Sequence, residues 1–281
     1  EEIARTLESI GASIGASVGN NALLVAASGL APDFQTIAEV FAEVISSPSL
    51  PDDSIAREKA SQLAALEEAL QDPLHSGFAT LRDLAFNGQG YGLDPLGSLA
   101  SLPNLDREKL AAHHARHFTA GNMTLAIAGD FDPAQAKSIL TAAFAKLPSG
   151  SAWTPPASAA ATGEERIAHL PKKQAILTFG FPGASVTSAD RYALSMIQEY
   201  ATDMAGPLFT RIREELGLAY RVGASQFLGF DTGLFSFYVA TSPEQADFAG
   251  RELIAEIEKI AENGIPDDTF DRVRSTVLSS L

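Results

Sequence analysis

The sequence predicts an α+β chain of two similar α/β subdomains, each a mixed, mainly antiparallel sheet with helices packed on one face. Helix and strand patterns alternate in two similar rounds along the 281 residues, which is the first observation behind that prediction. The second is the stretch over 148–163, small, polar and proline-bearing without periodicity, which has the composition of a linker. It divides the chain into a first subdomain at 1–148, a linker at 149–163 and a second subdomain at 164–281. The third is a pair of turn signals set between apolar runs, which places neighbouring strands antiparallel.

The first round opens with Ile3, Leu7 and Ile10 at helical spacing. Residues 12–18 and 23–27 read as strands joined at Asn20-Asn21, where a turn is cheap. Gly11, Gly15 and Gly19 fall on this strand and turn, where they mark bends rather than helix packing. Pro32 starts a helix with Phe34, Ile37, Phe41, Val44 and Ile45 on one face, and a break over 48–53 precedes a second helix using Ile55, Leu63, Leu66 and Leu70. Further helices fit 74–86 and 107–118, and a strand fits 123–128. Asp132-Pro133 with Gln135 supplies a cap, an N1 proline and a capping-box partner for a helix running to Leu147.

The second round has strands near 166–170 and 175–181, a helix from Thr187 or Ser188 using Leu194, Ile197 and Tyr200, and a short amphipathic helix around Arg213. Asp231-Thr-Gly233 is a hairpin signal between strands at 225–230 and 234–239. A helix from Pro243 ends at Asn263-Gly264, a C-cap in its usual residues. Neither Glu1 nor the helix pattern over 266–281 is bounded by a cap, so the chain reads as a fragment.

Composition narrows the function classes. With 46% hydrophobic residues the chain can bury a sizeable core, and no apolar run approaches the roughly 18 residues of a membrane helix. Twenty basic against 35 acidic residues, a formal charge of -15, argue against a nucleic-acid backbone as partner. Zero cysteines exclude disulfides, thiol catalysis and thiolate metal sites. The chain reads as a soluble bacterial-type protein, with periplasm and cytoplasm both open. Gly88-Gln-Gly-Tyr-Gly92 lacks the preceding strand and the lysine of a phosphate cradle and reads as a loop.

The most informative stretch is Phe209-Thr-Arg-Ile-Arg-Glu-Glu-Leu-Gly-Leu-Ala-Tyr-Arg-Val-Gly223, in which a helix turns through Gly217 into an apolar strand. Arg213 on the helix and Tyr220 at the mouth of the strand can present a guanidinium fork and a phenol to one point. Two such donors suit a peptide carbonyl or a developing oxyanion. The plain alternative is a surface arginine and a half-buried core tyrosine.

Leu208-Phe-Thr-Arg-Ile-Arg-Glu-Glu-Leu-Gly-Leu-Ala-Tyr-Arg-Val resembles the Arg/Tyr segment of the pitrilysin-like zinc peptidases, the inverzincin (M16) group that includes insulin-degrading enzyme and the mitochondrial processing peptidase. Glu2-Ile-Ala-Arg-Thr-Leu-Glu-Ser-Ile-Gly-Ala-Ser-Ile is similar to the helix and strand that follow that family's metal motif, and Asn122-Met-Thr-Leu-Ala-Ile-Ala-Gly-Asp-Phe-Asp-Pro133 to the strand and turn closing its first subdomain. The resemblance covers nearly the whole chain. It implies halves of two similar α/β subdomains, closing in pairs around a chamber with zinc on one half and the Arg/Tyr pair on the other. It also implies a strand and the metal-motif helix before residue 1, and a helix and strand after residue 281.

A catalytic zinc in this family needs an H-x-x-E-H helix, and none is present. Of the five histidines, His75, His113, His114, His117 and His169, only His113 and His117 share a helix face, and Ala115 and Arg116 stand where a carboxylate base would help. The family's third ligand falls near Ala64-Ala65 when aligned on Gln71-Asp72-Pro73; a slip of one turn brings Glu67 or Glu68 into register, and otherwise both belong to a solvated helix face.

The resemblance therefore implies a non-catalytic half or companion subunit, inactive alone, with no cofactor of its own and zinc on the partner. Arg213 would donate to substrate carbonyls and Tyr220 would stabilise the tetrahedral oxyanion in trans, while the strands beside them take up an extended peptide by edge pairing. The partner is an H-x-x-E-H-bearing half or subunit, or a second copy in a homodimer, and the substrates are short or unfolded peptides. Two other readings stand beside this one. The first is a structural member of the fold, like the core subunits of the respiratory bc1 complex. The second is part of an active half whose H-x-x-E-H precedes residue 1.

Overall fold

The structure is a computed structural model that describes residues 2–154 and 163–280. It begins with α1 (Glu2–Ser9), the strands β1 (Ser13–Val18) and β2 (Leu23–Ser28), then α2 (Phe34–Ser46), α3 (Asp52–Gln71), α4 (Pro73–Ala85), α5 (Arg107–His117) and α6 (Pro133–Ala143). β3 (Ala175–Gly183), α7 (Asp190–Thr202), a π-helix (Phe209–Glu215), β4 (Arg221–Leu228), β5 (Gly233–Thr241), α8 (Ala246–Asn263) and α9 (Asp267–Ser280) follow. Aspartates open three of the helices by accepting backbone N–H groups the first turn cannot use: Asp72 from Leu74, Asp106 from Lys109 and Asp132 from Gln135. Gly264 closes α8 at φ 67.

Two expected strands do not form. Residues 123–128 and 166–170 join no ladder among the described residues, and their apolar side chains stay in water, Leu125 47% and Ile167 71% exposed. A strand is held by a neighbour that takes its N–H and C=O groups, and none of the described strands runs alongside either segment. The expected linker at 149–163 falls largely on residues outside the described ones.

The described residues divide into two compact units, one running up to Leu63 and from Ser98 to Thr154, the other comprising Ala64–Gly97 and the residues from Gly163 onward. In the first, β1 and β2 form an antiparallel pair from Ser13↔Ser28 to Val18↔Leu23. Ala38, Ala42 and Ile45 bury the inner stripe of α2, and Phe41 meets Phe144 edge-to-face at 6.1 Å.

In the second unit the sheet order is β3-β5-β4, all antiparallel, so β5 is the central strand and is buried along nearly its whole length. Alternation along β5 sends Phe235, Phe237 and Val239 to one face, where they join Val222 and Ala224 of β4 in a core closed by Leu208 and Ile212 of the π-helix segment and Ala249 and Leu253 of α8. Each fully buried aliphatic side chain in that core, such as Leu208, Ile212 or Leu253, contributes about 1.5–3 kcal/mol. The helices of the second round thus pack on one face of this sheet. The other face is taken by α4 from earlier in the chain, where Leu81 packs with Leu234 and Phe78 meets Tyr238 edge-to-face at 5.3 Å. Glycine is required at residue 77, because a Cβ there would lie 2.8 Å from the Ile176 Cγ2 methyl. On the outer side of β4, the Thr202 hydroxyl at the end of α7 accepts the Ala224 N–H at 3.0 Å.

Candidate functional site

The chain leaves α7 through Asp203, whose carboxylate accepts the Ala205 N–H, and re-enters a helix at Pro207. Over Phe209–Glu215 that helix is wound as a π-helix rather than the α-helix its amphipathic pattern suggests, with Leu216 N–H donating to Arg211 C=O at 3.1 Å. Such i→i+5 windings are rare and concentrate at functional sites. Leu208 and Ile212 point inward and are fully buried, which fixes the opposite face of the helix outward.

Arg211 and Arg213 divide two tasks. Arg211 is held from both ends, with Nη1 donating to Glu215 at 2.9 Å and Nε and Nη2 to Glu252 of α8 at 3.2 and 3.1 Å. The hydrogen bond it donates to Glu215, then those to Glu252, raise the Arg211 pKa above its ordinary value. This arginine ties the π-helix to α8. Arg213, exposed, pairs with no carboxylate among the described residues; its guanidinium carbon lies 4.6 Å from the Phe209 ring centroid and 5.1 Å from that of Tyr220. The cation thus lies over both rings, a contact favoured by the negative face of each π-system.

The turn between Arg213 and Tyr220 is built from three parts. Gly217 adopts φ 61, the left-handed region that only glycine enters without steric cost. Leu218 N–H then donates back to Ile212 C=O at 2.9 Å, one residue wider than the usual helix-ending bond, in keeping with the wider winding. The buried Thr241 hydroxyl donates to Leu218 C=O at 2.7 Å and pins the returning strand. Tyr220 emerges 70% exposed, not half-buried in a core. The structure thus brings together the two residues singled out from the sequence and leaves their polar edges facing solvent.

Phe209 and the Arg211–Glu252 tie were not anticipated from the sequence. Phe209 carried a readable signal, since Phe209–Arg213 is spaced i,i+4 on one helix, whereas Glu252 lies 41 residues from Arg211 and no local spacing points to it.

The histidines and candidate acidic ligands do not converge. His75 Nε2 bonds Asp94 at 2.9 Å, His114 Nε2 bonds the Ile45 C=O at 2.7 Å, and His113 and His117 lie ring against ring at 4.5 Å. Burial, then the neighbouring His117, Arg116 and His114, pushes the His113 pKa below its ordinary value. Glu67 and Glu68 sit on an exposed face of α3 beside buried Leu66. No group of three or more His, Cys, Asp or Glu is gathered for a metal among the described residues, so the donor set here does not fit a zinc ion. Nor is any helix among them long and apolar enough to cross a membrane.

The family model for the peptidase M16 inactive domain matches residues 104–277. An uncharacterized zinc protease of Rickettsia bellii is 25% identical over 100% of this chain and 68% of its own length. A second uncharacterized zinc protease, from Streptomyces coelicolor, is 24% identical over 96% of this chain, which spans 61% of that protein. Among solved structures, a peptidase M16 inactive domain from Pseudomonas fluorescens superposes with a TM-score of 0.87 at 26% identity, covering 99% of this chain and 69% of that one. A protease from Helicobacter pylori has the same fold, with a TM-score of 0.81 at 14% identity over 99% of this chain and 69% of its own.

Proposed function

Because this chain belongs to the peptidase M16 family through its inactive domain, we propose that it is the non-catalytic half of a zinc metallopeptidase, completing a peptide-binding chamber whose metal is held by another half. The observation that carries this reading is the convergence of Arg213 and Tyr220 at an exposed surface, with the guanidinium 5.1 Å from the tyrosine ring and free of any carboxylate among the described residues. A structural arginine is normally paired, as half-buried Arg211 is, whereas Arg213 keeps its in-plane donors available.

In this role Arg213 donates to substrate backbone carbonyls, and Tyr220 donates its phenolic proton in a hydrogen bond to the oxyanion that develops as the scissile carbonyl becomes tetrahedral. Such interactions are made in the transition state more strongly than in the ground state, which is what lowers a barrier. The partner would hold the zinc, with its ligands and the general base, and the metal would supply an activated water there. The relatives from Rickettsia bellii and Streptomyces coelicolor carry the name zinc protease, in agreement with a metal in the complete assembly.

The test is zinc content and peptide hydrolysis of the full-length protein, alone and mixed with H-x-x-E-H-bearing subunits, with Arg213→Ala as the control. The reading requires no cleavage by this half alone and Arg213-dependent cleavage in the pair. Removal of one transition-state donor lowers kcat by roughly 100-fold to 1000-fold. Paired cleavage that is indifferent to Arg213→Ala would refute it.

A further inference from the structure

We propose that Phe209 is a positioning residue for Arg213, forming the fixed wall against which the guanidinium is held edge-outward. The inference rests on the functional reading above for its consequence in cleavage, and on geometry alone for the stacking itself.

An arginine at a surface samples many rotamers, and a guanidinium swinging freely presents its donors in no fixed direction. Here the guanidinium carbon lies over two rings, 4.6 Å from the Phe209 centroid and 5.1 Å from that of Tyr220. The N–H donors lie in the guanidinium plane, so a ring held against the cation engages its charge without consuming a donor and leaves those at the rim for a ligand. The two walls are unequal. Tyr220 is 70% exposed and sits where the chain leaves the turn, while Phe209 is half-buried in the π-helix itself, one residue after fully buried Leu208. Spaced i,i+4 from Arg213, Phe209 stays on the same side of the helix as the cation it supports. Its ring has no donor or acceptor to offer a peptide, which separates its task from those of Arg213 and Tyr220.

The stacking is read by NMR of the arginine side chains in the full-length protein. Aromatic ring currents should displace the Arg213 Hδ and Nε–H resonances upfield of those of the other arginines. Phe209→Leu should return them toward ordinary values, and Phe209→Tyr should keep them displaced. In the paired assembly, Phe209→Leu should lower kcat/KM about twofold to fivefold, the equivalent of one exposed cation–π contact, with Phe209→Tyr restoring the parent value. Arg213 resonances that ignore Phe209→Leu overturn the proposal whatever the protein does. Displaced resonances that collapse in Phe209→Leu while Arg213-dependent cleavage keeps its parent kcat/KM overturn the positioning role and leave the functional reading standing. Cleavage indifferent to Arg213→Ala overturns the functional reading instead, and the spectra still decide the stacking.

Discussion

Replacing Gly217 by alanine isolates the turn that carries the chain from Arg213 to Tyr220. A Cβ added at this position meets no atom within 4 Å, so crowding by neighbours contributes nothing. What remains is the backbone itself, at φ +61, where an L-residue other than glycine costs about 1–2 kcal/mol. Alanine also restricts the unfolded chain, which returns about 0.4–1 kcal/mol. The difference is a net destabilisation of about 0.8 kcal/mol at mid-range and at most about 1.6 kcal/mol, the mid-range value shifting the unfolding equilibrium about fourfold. The protein carries its own probes for the assay: its one tryptophan, Trp153, lies in the first unit, and its five tyrosines, residues 91, 192, 200, 220 and 238, all lie in the second. Urea unfolding followed by tyrosine near-UV circular dichroism should show the loss. Gly217→Asn should recover part of it, because asparagine tolerates the left-handed region. An alanine variant as stable as the parent, or an asparagine variant weaker than the alanine one, would refute the assignment of the cost to backbone conformation.

Two further outcomes are expected. Thr241→Val keeps the shape of the side chain but leaves the buried Leu218 C=O without its 2.7 Å donor, so it should cost about 1–3 kcal/mol in the tyrosine-reported transition, and a neutral substitution would mean that another group satisfies that carbonyl. Burial holds the His113 pKa below the ordinary imidazole value of about 6.5 in the folded state, so the unfolded chain binds more protons near and below that pH. Stability of the Trp153-containing unit should therefore be full above about pH 6.5 and decline as pH falls below it, and His113→Asn should flatten that decline; equal slopes for parent and variant would remove His113 as the cause.

What the sequence made legible was local. Asp72, Asp106 and Asp132 sit beside their helices in the chain, and each cap forms with residues two or three positions away. The hairpin at Asp231-Thr-Gly233 was readable for the same reason, closing at Leu228↔Gly233. Residues 123–128 have the composition of a strand, but composition names no ladder partner, and without one the segment stays exposed. No periodicity indicates that α4, lying between α3 and α5 in sequence, lays Phe78 and Leu81 on a sheet whose strands begin at Ala175. The Arg213 and Tyr220 pair was visible only as a motif. Their proximity depends on a π-winding and a left-handed glycine that together set the angle of return, and the amphipathic spacing of Leu208 and Ile212 is satisfied equally well by an α-helix.

The Thr202 hydroxyl at the outer side of β4 limits how the sheet can be lengthened sideways. By taking the Ala224 N–H at 3.0 Å it occupies a position that a newly added strand would need, so β4 can be zippered onto only from its start as far as Val222. An extended peptide laid along that side therefore runs out of backbone partners just past Tyr220. Any strand added there would take its register from a threonine of the preceding helix as much as from the strand it lay against.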